Sequence, residues 1–138
     1  MTHHQTSMTI QGENDAVREG LRQLMSLDSL QTLSEECRGT LEIVLAEVLN
    51  NVVEHAYRDG PGPIRICFDH LDTVLRVSIH DQGLPMPDLQ LPKGELKPAT
   101  FDDPPEGGFG WFLIRSLAAD LAYDREGDFN HLYFEVLA

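Results

Sequence analysis

Positive charge is scarce in this sequence: 10 Lys and Arg face 23 Asp and Glu, a formal net charge of −13. A surface of that sign repels nucleic-acid phosphates and anionic lipid headgroups, so neither nucleic acid nor membrane is expected as a direct partner. A basic protein surface remains compatible. Cysteine is almost absent. Cys37 and Cys67 show no Cys-x-x-Cys spacing, so they read as reduced, buried thiols of a cytoplasmic protein, not as a disulfide or zinc site. No apolar run approaches the ~18 residues that a membrane helix needs. The opening Met1-Thr-His-His-Gln lacks the basic-then-apolar layout of a secretory signal. Familiar catalytic signatures are missing too: there is no His-Glu-x-x-His, no Gly-x-Ser-x-Gly elbow and no Gly-Lys-Ser/Thr phosphate loop.

What is present suits one globular domain. Hydrophobic residues make up 41% of 138 residues, enough for a core without disulfide or metal support. The whole of residues 1–138 is therefore expected to form a single domain. Residues 7–11 suit a short strand, and the Val17, Leu21, Leu24 and Met25 spacing predicts a helix. A longer helix is expected to open at Ser34 and run to about Arg58. Its apolar stripe is Leu41, Val44, Leu45, Val48 and Val52, and Asp59-Gly60-Pro61-Gly62-Pro63 stops it. Two strands, 64–69 and 73–80, come next. Most of the eight prolines then crowd between Pro85 and Pro105. A loop this long in a compact domain is usually a lid or binding loop, so residues 82–108 are expected to be a lid. A helix over 111–120 and two strands, 123–126 and 130–136, complete the pattern. The order predicts an α+β fold: a two-layer sandwich of a mixed β-sheet with helices on one face.

Three constellations carry chemistry. Glu47, Asn51 and His55 recur every fourth residue, so on an α-helix they form one polar stripe beside the apolar one. A carboxylate and a carboxamide one turn apart suit magnesium-nucleotide chemistry: the Asn oxygen takes one Mg²⁺ position, and the Glu accepts a proton from an attacking hydroxyl. By itself such a stripe is more often a solvated helix face. Asp81-Gln82-Gly83 follows the second strand, and Asp81 shares the parity of Leu75, Val77 and Ile79. Its carboxylate should point inward and needs a donor, for which an adenine amino group is suitable; Gly83 would let the chain pass close to a flat base. A simple Asp-x-Gly turn is the plainer alternative. Gly107-Gly108-Phe109-Gly110 precedes the last helix, where glycine backbone and a helix N-terminus together can cradle phosphate. The single Trp, Trp111, reads as core or lid packing.

In this order and at these separations, the three constellations resemble the Bergerat-fold ATPases, the superfamily of gyrase and the histidine kinases. Glu47, Asn51 and His55 are similar to its N box, Asp81 and Gly83 to its first glycine box, and Gly108 and Gly110 to its second. Glu47-Val-Leu-Asn-Asn51-Val-Val-Glu-His55-Ala-Tyr57 and Gly107-Gly-Phe-Gly-Trp-Phe-Leu-Ile-Arg115 look most like the anti-sigma-factor serine kinases. The chain departs from many relatives at Leu84-Pro85-Met86-Pro87, where a second glycine is common. The resemblance implies ATP and Mg²⁺ as cofactors, with Glu47 the catalytic base and Asn51 the metal ligand. Asn51, His55, Asp81, Gly83, Gly107, Gly108 and Gly110 would hold the nucleotide. It further implies phosphorylation of a serine on an anti-sigma-factor antagonist protein, a sigma factor as partner, and a possible homodimer. The alternative is a non-catalytic module that grips a partner when ATP is bound. A two-component histidine-kinase domain fits less well, because the chain lacks room for a helix pair carrying a phosphoacceptor His.

Overall fold

The computed structural model describes residues 4–94 and 109–138. Gly107, Gly108 and most of the expected lid lie outside the described residues. The chain forms β1 (His4–Gln11), α1 (Asn14–Met25), a short α2 (Asp28–Gln31), α3 (Glu35–Asn51), β2 (Pro63–His70) and β3 (Val74–Asp81). After a 3₁₀ turn at Pro87–Leu89 come α4 (Phe109–Leu117), β4 (Ala119–Glu126) and β5 (Phe129–Leu137).

The strands make one five-stranded sheet in the order β1-β2-β3-β5-β4. Every neighbouring pair is antiparallel, which corrects the expectation of a mixed sheet. The physical reason is the last hairpin. The crossover from β3 through α4 brings the chain back as β4 in the direction of β3, but β5 then inserts between them, so no parallel neighbours remain. Alternation sorts the side chains by face. Ile64, Ile66 and Phe68 of β2, Leu75, Val77 and Ile79 of β3, and Leu132, Phe134 and Val136 of β5 are all buried. They meet Val17 and Leu24 of α1, Leu41, Val44, Leu45, Val48 and Leu49 of α3, and Trp111 and Ile114 of α4. Burying each large apolar side chain contributes about 1.5–3 kcal/mol, so this single interlayer core holds the domain together. Arg65, Arg76, Ser78, His80, His131 and Tyr133 project from the other face, which no described helix covers.

The ends of the helices position the site. Ser34 caps α3, its Oγ accepting from the Cys37 N–H at 3.0 Å, with Glu35 and Glu36 favourably placed in the first turn. The helix was expected to continue regularly to about Arg58. Instead it widens into a π turn over Val52–Ala56, closed by the Tyr57 N–H on Val52 O at 2.9 Å. At that end the Ala56 carbonyl has no helical partner, and it accepts from the Leu84 N–H at 2.8 Å. The chain leaving β3 is thereby pinned to the end of α3. Helix α4 stops at Leu117, earlier than the sequence pattern suggested, and β4 begins at once at Ala119, with Asp120 in a left-handed conformation (φ 49°) where the β4–β5 register shifts.

Gly83 sits inside this junction. A Cβ built there would lie 2.3 Å from Ala56 O and 2.5 Å from its carbonyl carbon, and backbone cannot yield as a flexible side chain can. Gly83→Ala is expected to lower the unfolding free energy by about 1–3 kcal/mol, the usual cost of overpacking. Urea unfolding checks this, and an unchanged midpoint would show that the loop is not docked on α3 in this way.

Candidate functional site

A small cavity of about 80 Å³, partly open to solvent, lies where α3, the sheet and α4 converge. Its walls are largely apolar, with Val48 and Val52 from α3 and its π turn, Ile79 and Leu132 from the sheet, and Met86 from the loop after β3. Against that background a few polar groups stand out: Asn51, His55, Asp81, Tyr123 and Asn130.

Asp81 is the most constrained of them. It is the last residue of β3 and points inward, as its parity predicted, with only 6% of its surface exposed. Its Oδ1 accepts from the Gly83 N–H at 2.9 Å and from Asn130 Nδ2 at 2.8 Å. Both bonds fall on Oδ1, which leaves Oδ2 as the oxygen with acceptor capacity to spare. Burial pushes the Asp81 carboxyl above its ordinary range. The bonds from Asn130 and Gly83, with the charges of Arg125 and His131, pull it part of the way back.

The partner residues form a network. Asn130 lies directly opposite Asp81 in the β3–β5 register. Its Nδ2 also donates to Leu84 O at 2.9 Å, while its Oδ1 accepts from Tyr123 OH at 2.5 Å and Arg125 at 3.1 Å. Tyr123 OH in turn accepts from the Met86 N–H at 3.1 Å, and Arg125 donates to Gly83 O at 2.7 Å. The strand ends of β4 and β5 thus hold the chain from Gly83 to Met86 in place. Asn130, Tyr123 and Arg125 were not singled out from the sequence. A signal existed for Asn130: it shares the inward parity of Leu132, Phe134 and Val136, where a polar side chain needs a reason.

The expected polar stripe on α3 is only partly realised. Asn51 lines the cavity, its Nδ2 donating to Glu47 O at 2.9 Å and its Oδ1 accepting from Trp111 Nε1 at 3.1 Å. Trp111 is therefore buried packing, as expected, and also a hydrogen-bond donor to the site. His55 reaches the cavity rim and is exposed, but the π turn breaks the fourfold spacing that would stack it over Asn51. Glu47 is half-buried and does not line the cavity. Its Oε2 lies 2.8 Å from where a Cβ on Gly110 would stand, so Gly110 brings the first turn of α4 against the Glu47 carboxylate. Gly83 stays beside Asp81, but the space its missing side chain leaves is filled by Ala56, which supplies a reason for glycine other than a flat base. Of the remaining histidines, His80 and His131 pair across β3 and β5 on the uncovered face, with Nδ1 atoms 2.6 Å apart, away from the site.

This arrangement suits a flat, amino-bearing ring: apolar walls on either side, a buried carboxylate acceptor at the floor, and a carboxamide near the entrance. Comparison with known proteins points the same way. Residues 10–135 match the family model of the histidine kinase-like ATPase domain. The chain is 34% identical over 91 residues to the "Serine-protein kinase RsbW" of Staphylococcus epidermidis, covering 62% of this chain and 57% of that protein. It is also 34% identical over 91 residues to the protein of that name from Oceanobacillus iheyensis, with the same coverage. With the Bacillus cereus protein of that name it shares 31% identity over 85 residues, covering 59% of this chain and 52% of the relative. The aligned region thus spans a little over half the length of these curated relatives. With a match over nearly its full length, the chain belongs to the histidine kinase-like ATPase domain family.

Proposed function

We propose that this domain binds ATP with Mg²⁺ and phosphorylates a serine on an antagonist protein, while its nucleotide-bound form holds a sigma factor. The observation that carries the nucleotide half is the buried Asp81 carboxylate, fixed through Oδ1 by Asn130 and Gly83 at the floor of an apolar cavity. A charge in such a place is costly unless a donor meets it, and the exocyclic amino group of adenine is a donor of the right shape. Asn51 fits a metal ligand, because a carboxamide oxygen has two lone pairs and Trp111 occupies one. Bound Mg²⁺ would neutralise phosphate charge; the task of this chain is to orient the base, present Asn51 and offer Glu47 as proton acceptor. Gly110 and the first turn of α4 lie beside Glu47, where backbone N–H groups suit phosphate; Gly107 and Gly108 are proposed to extend that contact. The kinase and partner half rests on the names of the relatives and on the N-box resemblance. A homodimer is part of the same proposal.

One observation favours the second reading, a nucleotide-gated binder without phosphotransfer. Glu47 packs against Gly110 and does not face the cavity. Variants separate the two readings. Asn51→Ala and Asp81→Asn are both expected to abolish or strongly weaken nucleotide binding in calorimetry. Glu47→Ala should leave ATP affinity nearly intact while phosphotransfer falls roughly 10²–10⁴-fold, the scale for losing a general base. The assay is radiolabelled ATP with the cognate antagonist, beside a pull-down of the partner. Wild-type protein that grips its partner and transfers no phosphate would leave the binder standing.

The cost of Asp81 can be read separately from its ligand. Because its folded value is raised, the folded state holds more protons than the unfolded state between the ordinary carboxylate value and the raised one. Stability therefore falls as pH rises through that window, and the loss is complete above it. Asp81→Asn keeps the acceptor for Asn130 and Gly83 without the charge. In urea unfolding at a series of pH values, the variant should gain on the wild type as pH rises through the carboxylate range, and the difference should then stay constant. A stability difference between variant and wild type that does not change with pH through the carboxylate range would contradict this account of Asp81.

A further inference from the structure

We propose that Trp111 is a positioning residue for the metal: its indole N–H fixes the Asn51 carboxamide so that the free lone pair of Oδ1 is presented to Mg²⁺. The inference rests on the nucleotide reading above and adds to it a residue outside the three constellations that suggested that reading.

The geometry is specific at both ends of one side chain. An Asn amide can sit in two orientations that exchange oxygen and nitrogen, and only its hydrogen-bond partners decide between them. Here Nδ2 meets an acceptor, Glu47 O, at 2.9 Å, and Oδ1 meets a donor, Trp111 Nε1, at 3.1 Å. The two partners come from different elements, α3 itself and the first turn of α4. The indole cannot turn away freely, since Trp111 is 94% buried, with only 6% of its surface exposed. Gly110 presses α4 against Glu47 and Asn51, with its absent Cβ 3.4 Å from Asn51 Nδ2. A carboxamide held at both ends keeps its metal-binding oxygen aimed before any ligand arrives. Groups that orient metal ligands in this way typically account for ~10–100-fold in metal affinity. Phe at position 111 would retain most of the ring packing and remove only the N–H.

The test uses the full chain and Mg²⁺ with ADP. In calorimetry, Trp111→Phe should raise the Mg²⁺ concentration needed for half-maximal ADP binding by about 10-fold or more. ADP affinity in the presence of a chelator should change far less, and the melting temperature should move only slightly. An unchanged or lowered Mg²⁺ requirement in the variant would overturn the proposal; a lowered one would mean that the indole obstructs the metal. Wild-type protein that binds no ADP at all would instead sink the nucleotide reading. Should the Phe variant fail to fold, the wild type still decides. Trp111 is its single tryptophan, so Mg²⁺ added at saturating ADP should change its emission, and the change should vanish in Asn51→Ala. Emission that ignores Mg²⁺ in the wild type, or responds equally in Asn51→Ala, would overturn the proposal.

Discussion

The hydrogen bond from Asn130 to Asp81 joins neighbouring strands at the point where β3 ends and β5 begins, and the site is organised around it. A carboxylate with 6% exposure survives only when its lone pairs are met. Meeting them recruits Asn130, whose own remaining groups recruit Leu84 O, Tyr123 and Arg125. Those residues in turn set the path of the chain from Gly83 to Met86. The cavity floor and one wall are thus a single connected polar structure laid over an apolar core. Removing Asn130 would take a donor from the buried Asp81 carboxylate, which costs more than the bond itself.

The opposite wall is set by packing, not by polar bonds. Val44, Val48 and Val52 of the α3 stripe lie against the sheet, and that contact fixes which way Asn51 faces. Trp111 and Gly110 close the gap between α3 and α4. The site therefore forms where two differently stabilised walls meet, one held by hydrogen bonds and the other by buried surface.

Much of this was legible in the amino-acid order, because it follows from periodicity. The inward parity of Asp81, the apolar stripe of α3 and the Ser34 cap depend on spacing alone, and each stands as expected. Other features do not depend on spacing. Val52-Val-Glu-His-Ala56 has nothing that distinguishes a π turn from an α turn, and the residue that docks on its end, Leu84, is remote in the sequence. Strand order is equally silent in one dimension, since a hairpin beside β3 and a hairpin inserted next to it share one sequence pattern. Short α2 has too few residues for a period to show. Arg125 and Tyr123 look like ordinary strand residues until β4 is seen to border the loop after β3.

The widened turn at Val52–Ala56 has a bearing on how this chain can change length. Elsewhere in α3, losing one residue would rotate everything beyond it by about 100° and carry Tyr57 and the strand entry away from the sheet. Within the π turn a five-residue ring closes where four residues suffice, so a deletion there restores an ordinary helical turn and keeps both flanks in phase. The segment holds one residue of slack. Related chains that differ by a single residue in length would be expected to place the gap here, with the Glu47–Asn51 spacing untouched and the reach of position 55 toward the cavity altered.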